Sequence, residues 1–511
     1  MESNVLTTKE NNGGLGKLII PALLGVIILI TSFIGIYLSF PNNDIVVTKL
    51  TTLSYASLIL FIVLCLFSLY ATNLYFTFLI FILLAFPSPV NDFFPGAYMG
   101  NPREADVAIF PFFTHIDLFI GMGLLKAILK NNKIAFKGSV LFLVVISCMF
   151  ISIFVNFFYF NSSHELLLLI QGLFQFRYLV GLYLLLAFYD ISLYKNNILI
   201  GFVLSVIFLF FESFIYSYKI KADVLSSGSL ANNVFASIIA SILLFFFFVK
   251  KRYPHSFLFK TNINIAMCAA VVIIIATGAR MAILAFFVTY FLMALMESHK
   301  KRSLSKKIYW ALTLVVFIFA VVKIADHLPK RYNPHTIIDR ITVNKFSTDL
   351  TKFIKIERSW ETNSLITRLE LYTTSINMFR ENVVSGIGVG RWDILKSKYG
   401  FKEFLLIDSH NGYLSIISQY GLLGLPLLFF IYIFPILALY RNVKKKKSYN
   451  FLFYLALINF YISIADLSNS GIFKHQIFSL LAFNAICLLQ LLNSENRNGT
   501  SLTETPVQTE L

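Results

Sequence analysis

Charged residues are scarce in this chain, and their scarcity argues against a soluble globular protein. Asp, Glu, Lys and Arg make up 14% of the 511 residues, whereas soluble domains carry about 25%. Hydrophobic residues make up 57% of the chain, and its mean hydropathy is +0.75. Most of the folded surface is therefore expected not to face water.

The signatures of several enzyme classes are missing as well. Four cysteines occur, and each lies inside an apolar run: Cys65, Cys148, Cys268 and Cys487. They have neither metal-ligand spacing nor a disulfide framework, so we expect small buried side chains. The chain has no Walker A, HExxH or CxxC motif, and no Asp-x-Asp pair that could hold the metal of a nucleotide-sugar enzyme. We expect no cofactor and no metal.

Long apolar runs dominate the chain instead. A membrane-spanning helix needs about 20 predominantly apolar residues. Fourteen segments are candidates: 18–40, 50–71, 74–89, 107–128, 138–160, 166–191, 198–216, 229–249, 262–277, 281–298, 308–326, 410–440, 450–467 and 472–492. The pattern predicts an all-α, polytopic bundle of about 12–14 transmembrane helices, the first of which is a retained signal anchor.

The basic residues lie mainly on one side of these predicted spans. The formal net charge is +17, which in a soluble protein would suggest nucleic-acid binding. Here 18 Lys and Arg fall in alternate short loops, at 129–137, 192–197, 250–261, 299–307 and 441–449, against 6 in the short loops between them. Positive charge accumulates on the cytoplasmic side of membrane proteins. The chain is therefore expected to bind the bilayer rather than nucleic acid, with both termini cytoplasmic.

One hydrophilic segment, 328–409, is long, and the alternation of spans places it in the periplasm. It contains a helical pattern that predicts one apolar face, made of Leu365, Leu369, Tyr372, Ile376 and Phe379. Ser364 is the expected N-cap, and the helix should end near Asn382. A glycine-rich stretch follows at 386–390, without the spacing of a dinucleotide-binding motif. A long loop of this kind is a candidate functional element.

These boundaries divide the chain into five regions. They are a cytoplasmic tail at 1–17, a helix bundle at 18–327, the periplasmic loop at 328–409, a surface helix with the C-terminal spans at 410–492, and a disordered cytoplasmic tail at 493–511. The apolar run that begins at His410 is too long for one span, and glycines interrupt it. We therefore expect a short helix at the outer surface that bends near Gly421 into the membrane.

Three kinds of side chain could carry chemistry at this outer boundary. Histidine is a common general base, so His410 could remove a proton from a hydroxyl, although a boundary histidine can also be structural. Arg280, between two spans, could bind phosphate in bidentate fashion or only anchor a helix end. Arg368 and Arg380 lie on the predicted loop helix, where a solvated face is the alternative. Arg177 falls inside a span and is either functional or part of an ion pair, with Asp117 and Glu212 as possible partners.

Together these residues resemble the O-antigen ligase and O-antigen polymerase superfamily. Its ligases carry His, then Asn, Ser or Gln, nine residues, Gly, two residues, and Gly, Thr or Tyr. Four positions match this pattern: His410, Asn411, Gly421 and Gly424.

Three further features of the sequence are similar to the family. Arg280 and Leu284 match an Arg-x-x-x-Leu motif that precedes the large periplasmic loop. Arg368 corresponds to a second arginine inside that loop. A Gly-x-Gly-x-Gly stretch follows the loop helix, here Gly386, Gly388 and Gly390.

The resemblance implies an inverting, metal-independent glycosyltransferase at the periplasmic face of the inner membrane. Its donor would be a glycan on undecaprenyl diphosphate. Arg280 and Arg368 would bind the diphosphate, and His410 would deprotonate the acceptor hydroxyl, presented by the helix at 410–421. The resemblance favours a ligase that transfers polymer to lipid A core.

Three alternatives remain open at this stage. A polymerase would use a lipid-linked repeat unit as acceptor, and a third type of family member would use a protein hydroxyl. A transporter or lipid flippase would be expected to show matching halves with discontinuous helices. We find no such repeat in the sequence, and the single dominant loop argues against transport.

Overall fold

The computed structural model of the chain describes most of the predicted helical regions. The described residues are 62–85, 115–130, 132, 139–159, 165–219, 232–252, 257–277, 279–296, 363–401, 409–445, 451–467 and 475–500. The predicted spans at 18–40 and 308–326 lie outside them, as does the first part of the predicted periplasmic loop.

Within the described residues every regular element is a helix, which confirms the all-α prediction. The α-helices are α1 (Thr72–Leu84), α2 (His115–Leu129), α3 (Val140–Tyr159), α4 (Glu165–Ala187), α5 (Lys195–Lys219), α6 (Asn232–Arg252), α7 (Phe257–Thr277), α8 (Arg280–Met296), α9 (Asn363–Glu381), α10 (Trp392–Leu395), α11 (Gly412–Tyr420), α12 (Leu425–Leu428), α13 (Phe434–Lys445), α14 (Ala456–Ala465) and α15 (His475–Thr500). Residues 62–70 are also helical. Short 3₁₀ turns occupy Ile191–Tyr194, Gly421–Gly424 and Phe451–Leu455.

The apolar helices form a multi-pass membrane protein. Five helical stretches in the described part are long and apolar enough to cross a bilayer: Val140–Phe158, Ile191–Phe214, Lys260–Thr277, Gly412–Lys444 and Ile477–Ser494. Shorter apolar helices accompany them, among them α1 and α14. Large apolar side chains are exposed at both ends of α3, with Val140 78% and Phe158 77% accessible. In a bilayer such a surface faces lipid rather than water, so the exposure of these apolar side chains carries no hydrophobic cost.

Helix α14 lies at the centre of the bundle. Its residues Ala456–Ser463 are all buried, and α14 packs against α6, α8, α13 and α15. The side chain of Asn459 donates to the carbonyl oxygens of Ile431 and Leu481 at 2.8 and 3.0 Å. Because hydrocarbon offers no other partner, these bonds satisfy polar groups that would otherwise be costly to bury. The C-terminal helices therefore form the inside of the fold.

The last helix joins the end of the chain to the first half of the bundle. Gln490 on α15 accepts from the backbone N–H of Ile191 and donates to the carbonyl oxygens of Leu186 and Tyr189. These bonds satisfy the end of α4 and the start of the next 3₁₀ turn. Helix α15 continues to Thr500, past position 493, where the sequence predicted a disordered tail.

The predicted short helix after His410 is present as α11, and so is the predicted break near Gly421. Helix α11 ends at Gly421, whose φ and ψ are 63° and −149°. The 3₁₀ turn follows, then α12 with Pro426 in its first turn, a π-helical segment at Phe429–Ile433, and α13. The stretch Gly412–Lys444 is therefore one helical path with a change of winding at the glycines.

The loop helix α9 exists, but the predicted buried face is wrong. It extends from Asn363 to Glu381, so Ser364 lies inside the helix rather than at its cap, while the predicted C-terminal end is correct. The buried side chains are Leu371, Thr374, Ser375 and Met378. Two members of the predicted face, Leu369 and Ile376, are 55% and 38% exposed.

Candidate functional site

His410 lies in the connection that leads into α11, not on the helix itself. The helix begins at Gly412, and Asn411 is its N-cap, so the prediction that the helix presents His410 is wrong. His410 has a φ of 49°, and among the described non-glycine residues it alone has a positive φ. A left-handed backbone costs a non-glycine residue about 1 kcal/mol or more, and such strain often marks functional sites.

Asn411 connects α11 to the end of α14. Its side-chain oxygen accepts from the backbone N–H of Leu414 at 3.0 Å, the usual N-cap bond. Its Nδ2 donates to the carbonyl oxygen of Leu467 at 2.9 Å. The next residue, Gly412, donates its N–H to the carbonyl oxygen of Asp466 at 2.8 Å. The turn that carries His410 is therefore fixed to residues 466–467.

The loop helix α9 is attached to one of these two residues, Leu467. Tyr372 donates its hydroxyl to the carbonyl oxygen of Leu467 at 3.1 Å, so this oxygen accepts from both Tyr372 and Asn411. Arg368 lies four residues before Tyr372 in the helix. Residues four apart are neighbours on one helix face, so Arg368 lies on the side of α9 that contacts this turn.

The segment that carries Arg280 also packs on α14. Arg280 is the first residue of α8, and its side chain lies outside the described set. Two residues later, the carbonyl oxygen of Ala282 accepts from the buried hydroxyl of Tyr461 at 2.7 Å. Leu284, the other member of the Arg-x-x-x-Leu motif, is 54% exposed on the bundle surface. Helix α14 and the 466–467 turn that follows it thus contact the elements that carry all three candidate side chains.

The two glycine motifs contact each other. Gly386 has a φ of 67°, and a Cβ there would overlap the backbone of Gln419 and lie 2.6 Å from the Gly421 nitrogen. A Cβ on Gly421 would in turn overlap Val384 and lie 2.5 Å from the Gly386 nitrogen. Both positions require glycine because backbone meets backbone.

Backbone hydrogen bonds continue this contact on both sides. The N–H groups of Ile387 and Gly388 donate to the carbonyl oxygens of Ser418 and Gln419, both at 2.9 Å. Gly390, whose φ is 79°, donates to the Gln419 side-chain oxygen at 3.1 Å. The stretch after α9 is therefore bound along the last turn of α11, which explains why the two motifs occur together.

Helix α3 holds the same stretch from the other side. Ser152 and Asn156 both donate to the carbonyl oxygen of Ser385 at 2.8 Å. The buried guanidinium of Arg391 donates to the Asn156 carbonyl oxygen at 3.0 Å and packs near Gly388. Arg391 is thus a structural residue that the sequence did not single out.

Gly424, the last position of the histidine motif, allows close packing of the 3₁₀ turn on α11. A Cβ at this position would lie 2.8 Å from Ile416 Cγ2 and 2.9 Å from Tyr420 Cβ. The motif glycines therefore shape the path of the chain that follows His410.

The loop segment has a small core of its own. Leu371 and Met378 on α9 pack with residues after the glycine stretch, among them Trp392. Trp392 donates its indole N–H to the Ser375 hydroxyl at 2.9 Å, which is why polar Ser375 is on the buried face. Burial, together with a hydrogen bond to the Glu381 carboxylate, raises the pKa of Tyr399. This core gives α9 a fixed orientation over the turn at 466–467.

The remaining two candidate arginines lie elsewhere. Arg177 forms an ion pair with Asp117 at 3.0 Å, which joins α4 to α2. This is the structural pairing that the sequence left open. Arg380 is exposed in the last turn of α9, 12 residues beyond Arg368, which corresponds to about 18 Å along the helix axis.

Asp466 is the residue at this site that the sequence analysis did not identify. It is buried, and its Oδ2 accepts from the Tyr432 hydroxyl at 2.6 Å. A lone acid at the end of an apolar span was the available signal, because such residues are costly in a membrane and often functional. Among the described residues, no group of three His, Cys, Asp or Glu side chains could hold a metal ion.

Two comparisons with known proteins bear on this arrangement. A comparison with curated proteins gave no match. Residues 265–430 match the family described as O-antigen ligase, and this range contains the whole histidine motif, Arg280, Arg368 and the glycine stretch. Over these residues the chain is similar to the O-antigen ligase family, as the motifs in the sequence indicated.

Proposed function

We propose that the protein is an O-antigen ligase-type glycosyltransferase. It moves a glycan from undecaprenyl diphosphate to a sugar hydroxyl of lipid A core, at the periplasmic face of the inner membrane. The observation that carries the proposal is the family match over residues 265–430, which includes His410, Arg280 and Arg368. The attachment of the three backbone segments to α14 and to the 466–467 turn that follows it supports the proposal.

The proposed reaction is an inverting displacement without a metal. His410 removes the proton from the acceptor hydroxyl as that oxygen attacks the anomeric carbon. The bond from that carbon to the diphosphate oxygen breaks, and the polyprenyl diphosphate leaves with the bonding electron pair. Arg280 and Arg368 bind the diphosphate and stabilise the charge that develops on it.

The described contacts assign different roles to the other two arginines. Arg380 is too far along α9 to bind the same diphosphate as Arg368. Arg177 belongs to the ion pair with Asp117 and is given a structural role in the bundle. Both are left out of the proposed site.

The proposal also assigns sides of the membrane. The loop at 328–409 is periplasmic and covers the site, and both termini are cytoplasmic. The positive charge of the alternate short loops supports this orientation.

The acceptor distinguishes a ligase from a repeat-unit polymerase, because both reactions use the same donor and the same attack. We would supply purified protein in nanodiscs with a labelled undecaprenyl-diphosphate repeat unit, with and without lipid A core. A new band only with lipid A core supports the ligase. A ladder without added acceptor contradicts the ligase and supports the polymerase.

Variants test the assigned residues in the same assay. His410→Ala should abolish transfer, and Arg368→Lys should reduce it severely because an ammonium cannot form the bidentate contact. Arg380→Lys, on the same helix, is the matched control and should retain activity. If wild type and His410→Ala are equally inactive with every lipid-linked donor, the enzyme proposal fails and a transporter or flippase becomes the better explanation.

A further inference from the structure

The turn formed by Asp466 and Leu467 accepts three hydrogen bonds from two separate elements. Its two carbonyl oxygens accept from the N–H of Gly412, from the side chain of Asn411 and from the hydroxyl of Tyr372. The first two bonds hold the connection that carries His410, and the third holds the helix that carries Arg368. Two consecutive carbonyl groups therefore fix the base and the phosphate ligand of the proposed reaction relative to each other.

The Asp466 side chain also stabilises the turn. It is 2% exposed, and its carboxylate lies against Gly412, where an added Cβ would be 2.7 Å from Oδ2. The same oxygen accepts from Tyr432 at 2.6 Å. The Asp466 carboxylate is therefore packed against Gly412, and it is too deeply buried to reach a sugar hydroxyl.

Tyr432 reaches Asp466 from an unusual segment of helix. Residues Phe429–Ile433 are wound as a π-helix, and the carbonyl oxygen of Ile431 accepts from Asn459 on α14. Single π-helical turns are rare in α-helical paths and frequently occur at functional sites. The Tyr432 ring also lies 5.1 Å from the ring of Tyr413 on α11. The irregular winding thus directs a hydroxyl to the carboxylate below the His410 connection.

Tyr372 fixes the position of α9 relative to the 466–467 turn. It lies one helical turn from Arg368, and the small core around Trp392 holds α9 in a single orientation. A shift of α9 after loss of the Tyr372 bond would move Arg368 with it, because both residues are on one rigid helix. Misplacement of a catalytic group by about 1 Å can reduce a rate by about 100-fold.

We propose that the 466–467 turn is the device that aligns the two halves of the site, with Tyr372 and Asp466 as positioning residues and Tyr432 as the support of Asp466. This inference rests on the proposed function, since it assigns His410 and Arg368 their roles in transfer. The inference predicts different kinetic effects for substitutions of Tyr372 and of Tyr432. Tyr372 acts through Arg368 on donor binding, and Tyr432 acts through Asp466 and His410 on the chemical step.

The test uses the full-length protein in nanodiscs with a labelled undecaprenyl-diphosphate donor. Tyr372→Phe and Tyr432→Phe each remove one oxygen atom, and Asp466→Asn removes only a charge. Tyr75→Phe is the matched control, because the Tyr75 hydroxyl donates to the Phe119 carbonyl oxygen at the same 3.1 Å, far from the histidine motif in sequence. We would measure kcat, the KM for donor and the thermal stability of each variant.

We expect Tyr372→Phe to raise the donor KM by about tenfold, and Tyr432→Phe and Asp466→Asn to lower kcat by about 10–100-fold with donor KM near wild type. Tyr75→Phe should leave kcat and KM unchanged.

Three outcomes would overturn the inference. Wild-type kinetics in Tyr372→Phe and Tyr432→Phe would contradict it while the proposed function stands. Activity of the Tyr372, Tyr432 and Asp466 variants that falls only in parallel with their thermal stability would reduce the turn to a structural element. A wild-type protein without transfer activity would overturn the proposed function and this inference with it.

Discussion

The backbone of His410 is held in a conformation that most residues avoid. Its φ of 49° places it in the left-handed region, and the following Asn411 is locked by its cap and by Leu467. Glycine or asparagine would adopt this conformation more readily. The presence of histidine there suggests that the imidazole matters more than the strain, which agrees with the proposed role as base.

This strain leads to a prediction about two variants at one position. His410→Gly and His410→Ala both remove the imidazole, but only glycine relieves the backbone. We expect both to lack transfer activity, and His410→Gly to be more stable than His410→Ala by about 1 kcal/mol. Thermal unfolding in one detergent would measure the difference, and equal stability would show that the connection relaxes in the variants.

At the scale of elements, the glycine stretch and the histidine motif form one structural unit. Both motifs are visible in the sequence. The sequence could not show that the partner of Gly386 was Gly421, because the two glycines are 35 positions apart in the chain. The contact depends on how two distant segments of the chain are placed in the tertiary structure, which the periodicity of the sequence does not encode.

The pairing of Gly386 with Gly421 predicts a severe effect of one added methyl group. Gly421→Ala should prevent the loop from docking on α11, because its φ and ψ of 63° and −149° are essentially restricted to glycine and a Cβ would overlap Val384. Gly400→Ala is the control. Its φ is 101°, but a Cβ there has no neighbour within 4 Å.

Limited proteolysis in nanodiscs would report the difference between these variants. Cleavage within the loop should accelerate strongly for Gly421→Ala and only slightly for Gly400→Ala. Equal resistance of the two variants would contradict the backbone contact.

The loop helix shows where the sequence pattern was insufficient. Periodicity placed and ended α9 correctly, but apolar residues occur on two of its faces. The face that became buried includes Thr374 and Ser375, whose hydroxyl groups gain partners only in the folded structure, as Ser375 does from Trp392. A pattern of apolar residues cannot predict a polar partner that comes from another segment.

Two substitutions on α9 distinguish the observed face from the predicted one. Met378→Asp introduces a charge at a fully buried position and should detach the helix, at a cost of several kcal/mol. Ile376→Asp introduces the same charge at a 38% exposed position and should be tolerated. Proteolysis rates of the two variants would measure the difference. Faster cleavage of Ile376→Asp than of Met378→Asp would support the buried face that the sequence predicted.

At the scale of the whole molecule, apolar length predicted most of the helices that the structure describes. Segments such as 138–160, 229–249 and 472–492 correspond to α3, α6 and α15. The central position of α14 was not predictable, because a helix apolar all round can be buried in protein or face lipid. Only the side-chain bonds of Asn459 and Tyr461 to other helices identify it as the core.

Orientation in the membrane is the last property to test. If alternate loops are cytoplasmic as their charge predicts, exposed positions at opposite ends of the bundle should differ in access from outside. We would replace the four native cysteines by serine and introduce either Ser397→Cys, exposed in the loop, or Asn196→Cys, exposed at the start of α5. A membrane-impermeant thiol reagent added to the periplasmic side should label Ser397→Cys alone, and after permeabilisation both variants should react. Labelling of Asn196→Cys alone before permeabilisation would invert the topology and place the 466–467 turn, with the site around it, on the cytoplasmic side.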